Sequence, residues 1–399
     1  MIKTQHKQLI YFIILMGVVN LFADMTHEGA RSIYGAYLSF QGLTAAQIGF
    51  VTGVGEFIGY GLRLISGNIV DRTQRYWPAM TIGFVINVLS VPALVFCNRQ
   101  GWLLACVLII SERAGRAIRL PANNTMLSFA GSQMGNGRAF ALEEFWDSIG
   151  SFLGPVYLYL IMTLGVTATT NYQALFAWLI VPAILTLVAL MFAHQQFPRP
   201  EKFEPDKVTT GQTKIDGNTW LYVIGIVSFA LGFMDFPIIT MHIQRLNLVS
   251  NINLPLLYAL AMIIGAIATL VFGGAYDRWG IKVLSWSTLL AAPFSGFIFL
   301  SHHLSVILIG IVLWGIGMGA QESLMEAIVG AMVARRQRVR AFGFFDMVFG
   351  IAWFIGSWLL GLLYDWSLPI MVICSVALQL VAASCYLIIN WRTTKMGAA

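Results

Sequence analysis

The chain has 399 residues, of which 58% are hydrophobic and 11% charged, with a mean hydropathy of +0.76. A soluble domain carries about 25% charged residues, so a water-soluble protein is excluded and an all-α integral membrane protein is expected. The formal net charge of +6 does not point to nucleic acid, because the basic residues lie in short loops between apolar stretches.

Twelve apolar segments reach or approach the ~20 residues a helix needs to cross a bilayer core. These spans 1 to 12 cover residues 9–38, 44–70, 77–97, 101–123, 138–164, 172–193, 219–243, 254–276, 283–301, 305–330, 341–364 and 368–391. They are too long for barrel strands, and backbone groups in lipid must be satisfied within the segment. Met1, Lys3 and Lys7 lead directly into span 1, and no small-residue cleavage site follows, so this run is read as a span and not a leader. With both termini cytoplasmic, seventeen of the 24 Lys and Arg fall in cytoplasmic segments, and only Arg99 and Arg245 fall outside. That bias follows the positive-inside rule and fixes the orientation; a multi-pass protein of the cytoplasmic (inner) membrane is expected. Cys97, Cys106, Cys374 and Cys385 sit in or beside apolar segments without metal-ligand spacing, so neither disulfides nor a metal are expected. No cofactor is expected.

Span 1 contains Phe22-Ala-Asp-Met-Thr-His-Glu-Gly-Ala-Arg31. Asp24, Glu28 and Arg31 are spaced i, i+4, i+7 and share one helix face. Ionised groups at membrane depth are costly and turn toward a bundle interior or an aqueous cavity. Span 2 carries Glu56 and Arg63, and span 4 carries Glu112, Arg113, Arg116 and Arg119. Arg119, next to Pro121 near the cytoplasmic end, is expected to be a gate residue. Span 5 carries Glu143, Glu144 and Asp147, followed by Gly150 and Gly154. One unpaired buried ion costs several kcal/mol, so these five bases and seven acids are expected to pair with one another. Two readings stay open: some carboxylates take up and release protons, or the network is static and only ties spans 1, 2, 4 and 5 together.

Residues 194–218 form the one long polar interval, with Pro198, Pro200 and Pro205. It reads as a cytoplasmic linker between bundles 1–193 and 219–399. The second half is less charged. Its intramembrane acids are Asp235 in span 7, Glu322 and Glu326 in span 10, and Asp346 in span 11. Glu322 follows the Gly-rich run Gly315-Ile-Gly-Met-Gly-Ala-Gln321, which suits close packing or a hinge. His242 is expected near the outer end of span 7.

Three landmarks recur between the halves. Phe22-Ala-Asp24 echoes Phe233-Met-Asp235. Gly67-Asn-Ile-Val-Asp71-Arg72 echoes Gly273-Gly-Ala-Tyr-Asp277-Arg278. Arg138-Ala-Phe echoes Arg340-Ala-Phe. The offsets are 211, 206 and 202, which points to an internal duplication and to twelve transmembrane helices as two pseudo-symmetric six-helix bundles, a transporter architecture.

The loops 67–75 and 273–282 resemble the signature loop of the major facilitator superfamily. The second copy has Gly273, Asp277, Arg278, Gly280 and Lys282; the first keeps Gly67, Asp71, Arg72 and Arg75 but has Gln74 where the family usually has Gly. The resemblance covers the whole chain. It implies two bundles rocking around a central cavity, with Gly67, Asp71, Arg72, Gly273, Asp277 and Arg278 in gating. It implies that helices 1, 4, 7 and 10 line the cavity, which would place Asp24, Glu28, Arg31, Glu112, Arg113 and Arg116 nearest to it. Glu56, Arg63, Glu143, Glu144 and Asp147 would then lie at or near the interface of the halves. Gly150-Ser-Phe-Leu-Gly154-Pro155 resembles part of a span 5 motif of drug–proton exchangers, although Leu158 and Tyr159 stand where two further glycines belong. The family's span 4 pattern of Arg and then Gly fails at Ala117.

The expected function is secondary active transport of a small polar, charged or amphipathic solute across the cytoplasmic membrane by alternating access, coupled to protons, with antiport (export) slightly favoured over symport (import). Candidate proton carriers are Asp24, Glu28, Glu112, Glu143, Glu144, Asp147 and Asp235. Candidate solute contacts are Arg31, Arg113, Arg116, Gln321, Glu322 and Glu326. The alternative is a non-transporting polytopic receptor or assembly partner on the same scaffold. No nucleotide-binding loop, nucleophile elbow or His-rich cluster occurs, so neither enzyme chemistry nor ATP-driven pumping is expected. The expected partners are a small-molecule solute, protons and the lipid bilayer, and the expected state is a monomer.

Overall fold

The structure is a computed structural model that describes residues 2–97, 101–134, 136–168, 171–203, 217–332 and 338–397. Among them there is no strand. In chain order the helices are α1 (Ile2–Phe40), α2 (Ala45–Thr73), α3 (Tyr76–Ser90), α4 (Trp102–Met134), α5 (Asn136–Thr163), α6 (Tyr172–Trp178), α7 (Ile180–Gln196), α8 (Gly217–Gly232), α9 (Phe236–Arg245), α10 (Leu254–Trp279), α11 (Lys282–Ala291), α12 (Phe294–Phe299), α13 (Leu304–Met332), α14 (Arg338–Trp366) and α15 (Leu368–Gly397). The pairs α6/α7, α8/α9 and α11/α12 each complete one crossing, and a 3-10 turn at Pro92–Phe96 completes that of α3, giving twelve membrane-length segments. Pro92, Pro182, Pro237 and Pro293 sit at or beside the interruptions, as expected of a residue without a backbone donor.

Ten of these segments are long and apolar enough to cross a membrane by length and composition. The two outside that set, α4 and α5, carry Glu112, Arg113, Arg116 and Arg119, and Glu143, Glu144 and Asp147. The apolarity they lack is what the ionic residues took.

The structure extends two sequence expectations. α4 continues through Pro121 to Met134, well past residue 123. Proline removes the donor that would reach the carbonyl four residues earlier. Here that carbonyl, Ala117 O, accepts from the Ser66 hydroxyl at 2.8 Å, so the helix proceeds without a buried orphan. Span 7, expected to be continuous, is broken at 233–235. Several backbone groups at the break find partners from the side. Gln379 Nε2 donates to Phe229 O at 3.0 Å, Ser375 Oγ to Gly232 O at 2.7 Å, and Trp314 Nε1 to Met234 O at 2.8 Å. Asp235 Oδ1 accepts from Phe236 N at 3.0 Å as the N-cap of α9. A helix interruption is stable at membrane depth only with such substitutes.

The chain divides into two compact units, Met1–Ile33 with Gly61–Val208, and Tyr34–Tyr60 with Thr209–Ala399. In the first unit Phe12, Met16 and Val19 of α1 share a buried cluster with Met80 and Phe84 of α3, Met126 of α4 and Leu190 of α7. Backbones approach closely where glycines permit it: a Cβ on Gly83 would stand 2.6 Å from Arg119 N, and one on Gly154 would run into Met25 O and stand 2.7 Å from Gly29 N. The Gly150–Gly154 pair thus serves the α1–α5 contact.

The repeated loops share a backbone device. Seven residues after Gly67 stands Gln74 with φ +54°, and seven after Gly273 stands Gly280 with φ +63°. Each ends its helix with a left-handed residue whose N–H reaches back to Val70 O or Tyr276 O, both at 2.8 Å. Gln74 offsets its conformational cost with side-chain bonds, Nε2 donating to Asp71 O at 2.8 Å and Oε1 accepting from the Tyr76 hydroxyl. Gly280 has no such support and a ψ of −153°. Gly280→Ala is therefore expected to destabilise the protein by about 1–3 kcal/mol, read as a lower unfolding midpoint in detergent; an unchanged midpoint would show that the loop relaxes freely.

Candidate functional site

The charged stripes of α1 and α4 meet in the first unit, joined by α3 and α5. Asp24, His27, Glu28 and Arg31 of α1 and Glu112, Arg113 and Arg119 of α4 are all buried, as are Asn20, Asn87, Asn123 and Glu143. Among the charged residues of α4, Arg116 has the most access, its side chain being 25% exposed.

Two sub-clusters are distinguishable. Around Arg119 the bonds are short and directional. Its Nη1 donates to Asn20 Oδ1 at 3.0 Å and its Nε to Asn87 Oδ1 at 3.2 Å, with Asp24 Oδ1 3.6 Å from Nη2 and the Phe84 ring 4.4 Å from the guanidinium carbon. Asn20 Nδ2 donates to Glu143 Oε1 at 2.7 Å, and Asn123 Nδ2 donates to the same oxygen. Asn87 Nδ2 donates to Glu112 Oε1 at 2.5 Å and to Glu112 O at 3.1 Å. Asn20 thus links Arg119 to Glu143 of α5 and Asn87 links it to Glu112, while Asn123 adds a second donor to Glu143.

Around Arg116 the contacts are looser. Its Nη2 lies 3.7 Å from Asp24 Oδ1 and its Nη1 4.0 Å from Glu28 Oε1, while Arg31 Nη1 lies 3.9 Å from Glu28 Oε2. A tight charge-assisted bond spans about 2.7–2.9 Å, so these pairs can be exchanged for other partners at modest cost. His27 bridges the two sub-clusters. Arg113 Nη1 is 3.0 Å from His27 Nε2, and His27 Nδ1 is 2.8 Å from Glu112 Oε1. A guanidinium only donates, so Nε2 accepts and the ring proton sits on Nδ1, toward Glu112. Glu28 Oε1 lies 3.6 Å from Nε2.

The other expected residues are placed as follows. Asp147 of α5 is half-buried and Glu144 exposed. Arg119, expected at a gate, lies in the most buried part of the cluster. Asp235, expected to carry protons, caps α9 in the second unit. Gln321 is buried in α13; the side chains of Glu322, Glu326 and Asp277 lie outside the described residues. Asp71, Arg72 and Arg278 are exposed, and Gly67 has Pro121 Cβ at 3.6 Å from where its own Cβ would be. Glu56 belongs to the second unit and Arg63 to the first. His242, expected near the outer end of span 7, is buried with its Nδ1 2.9 Å from the Tyr364 hydroxyl, in a helix buried from Phe236 to Ile243. Among the described residues no group of three or more His, Cys, Asp or Glu is placed to hold a metal.

Sequence reasoning missed His27 and the asparagines. Asn20 precedes Asp24 by four and Asn123 follows Arg119 by four, so both extend stripes already noted. Asn87 sits in a span without charges, and no local pattern marks it.

A family model described as Major Facilitator Superfamily matches residues 9–284 and 237–395. The chain belongs to the major facilitator superfamily. An uncharacterised protein of Mycobacterium tuberculosis strain H37Rv is 36% identical over 379 residues, covering 93% of this chain and 91% of that protein, and a Mycobacterium bovis protein matches equally. The fold is also that of solved transporters. A bacterial homologue of the human lysosomal transporter Spinster, inward-facing and occupied, superposes with a TM-score of 0.75 at 13% identity, covering 95% of this chain and 96% of that one. A POT family transporter in complex with 5-aminolevulinic acid gives 0.73 at 13%, with 96% of each chain covered. The nucleoside transporter NupG gives 0.67 at 12%, covering 96% of this chain and 99% of that one. The chain is thus a multi-pass membrane protein with the major facilitator fold, and a secondary transporter of a small-molecule solute.

Proposed function

We propose that this transporter couples a small polar, charged or amphipathic solute to protons by alternating access, with exchange slightly favoured over symport. The proposal places it in the cytoplasmic membrane as a monomer, with both termini cytoplasmic. The observation that carries it is the position of Arg116, partly exposed and held at 3.7 and 4.0 Å by Asp24 and Glu28. A carboxylate binds its proton more tightly when a neighbouring guanidinium moves away. A solute anion drawing Arg116 from Asp24 and Glu28 would thereby change proton occupancy, linking the two. Asp24 and Glu28, which share Arg116, and Glu112, which His27 joins to Glu28, are the foremost proton candidates; Glu143, Glu144, Asp147 and Asp235 complete the set. Arg116, Arg31 and Arg113 are the foremost solute contacts, with Gln321, Glu322 and Glu326 on the other half. Asp71, Arg72, Asp277 and Arg278 are proposed for gating.

The test is reconstitution into liposomes holding a trapped pH-sensitive dye, with solutes first chosen by thermal shift, since ligand binding raises apparent stability. Solute uptake is expected to move protons in proportion. Uptake without any pH change would remove proton coupling. Binding without uptake would favour a receptor.

A further inference from the structure

The end of α2 away from the Asp71–Arg75 loop has every first-turn donor accounted for. Thr44 and Gln47 cap reciprocally: Thr44 N donates to Gln47 Oε1 at 3.0 Å and Gln47 N to Thr44 Oγ1 at 3.3 Å. Ile48 N donates to Thr44 O at 3.0 Å. The two remaining donors, Ala45 N and Ala46 N, go to the carboxylate of Asp365, at 3.2 Å to Oδ1 and 2.8 Å to Oδ2. Asp365 is 320 residues distant from Ala45, at the C-terminal end of α14. Helix ends ordinarily satisfy such donors locally or with water.

Below this cap the two helices meet through small residues. A Cβ on Gly361 would stand 2.5 Å from Ala45 O, one on Gly53 would stand 3.0 Å from Phe354 Cα, and one on Gly49 would run into Ser357 O. Phe50 packs on Phe354 and Trp358 with ring centroids at 5.5 and 5.6 Å. The last turns of α1 are held likewise, where a Cβ on Gly35 would run into Pro237 O. All these residues lie in the second unit, although the sequence repeat assigns α1 and α2 to the first half. A carrier that parts its halves at this end must break these contacts.

We propose that Asp365 is a latch: its carboxylate, seated across two backbone donors on the positive N-terminus of α2, biases the transporter toward the state closed at this end. This rests on the alternating-access reading above. The bias combines charge–dipole attraction with charge-assisted hydrogen bonds. The bond is partly open to solvent, so it is strong enough to weight the equilibrium and weak enough to be broken in each cycle.

The test uses the full chain, with Cys97, Cys106, Cys374 and Cys385 replaced by Ala and nitroxide labels at Phe40→Cys and Trp366→Cys, both exposed positions. Pulsed dipolar distances are then compared among the parent, Asp365→Asn, Asp365→Lys and Gly361→Leu. Asp365→Asn is expected to raise the long-distance population about two- to fivefold, the scale of an exposed charge–dipole contact, and Asp365→Lys to raise it further. Gly361→Leu wedges the helices apart without touching the carboxylate and is expected to raise it too. If only Gly361→Leu responds, packing alone closes this end and the latch is overturned while alternating access stands. If no variant and no added solute changes the distance, both fall.

Discussion

Arg119→Met is expected to lower stability by about 3–5 kcal/mol, the scale seen when one partner of a buried ionic pair is removed. Arg119 is only 2% exposed, and its guanidinium holds four groups in place: Asn20, Asn87, Asp24 and the Phe84 ring. Methionine fills much of the volume and packs on Phe84, but it leaves two buried amide oxygens without their donor and Asp24 with less compensation. The check is thermal or denaturant unfolding of the purified protein in detergent. Adding Asp24→Asn to Arg119→Met should recover part of the loss, since it removes the uncompensated charge, with a coupling of about 0.5–3 kcal/mol. Arg116→Met provides the contrast. Its contacts are longer and its side chain is partly exposed, so its stability loss should be the smaller one. Equal losses at the two positions would contradict the division into a tight and a loose sub-cluster.

The second large effect concerns transport. Asp24→Asn is expected to reduce solute-driven proton movement in liposomes about a hundredfold, the scale on which positioned proton-transfer groups act. A carboxamide cannot take up a proton, yet it keeps the shape of the side chain and an oxygen toward Arg116 and Arg119. Exchange of labelled for unlabelled solute across the membrane requires no net proton transfer, so that partial reaction should persist. The pattern separates a coupling residue from a folding residue, because a misfolded variant loses both activities. Net proton-coupled uptake at the parent rate would show that Asp24 is a static partner of the two arginines.

The burial of these ions also accounts for how α4 and α5 are held. Without their charges they would be ordinary apolar helices; with them, they lie beside α1 and α3 through specific polar contacts and through glycine-mediated backbone approach at Gly83, Gly115, Gly150 and Gly154. In lipid there is little hydrophobic gain from bringing two apolar helices together, so close packing and polar contacts decide which faces meet.

Composition and the length of the apolar runs were sufficient to establish membrane helices, because the bilayer imposes one length and one backbone solution on any spanning segment. Helical spacing alone put Asp24, Glu28 and Arg31 on one face and Glu112, Arg116 and Arg119 on another, and the repeated loop carried the family likeness. Only the tertiary structure decided that the two faces meet, that His27 bridges Glu112 and Arg113, and that Asn87 joins from a span without charges. It alone revealed the break in span 7 with its three side-chain substitutes, and Asp365 on the first turn of α2. The physical reason is that these contacts join residues far apart in the chain, and depend on how each helix is rotated about its axis. Apolar surfaces that are similar all round leave that rotation undetermined until the partner helices are in place.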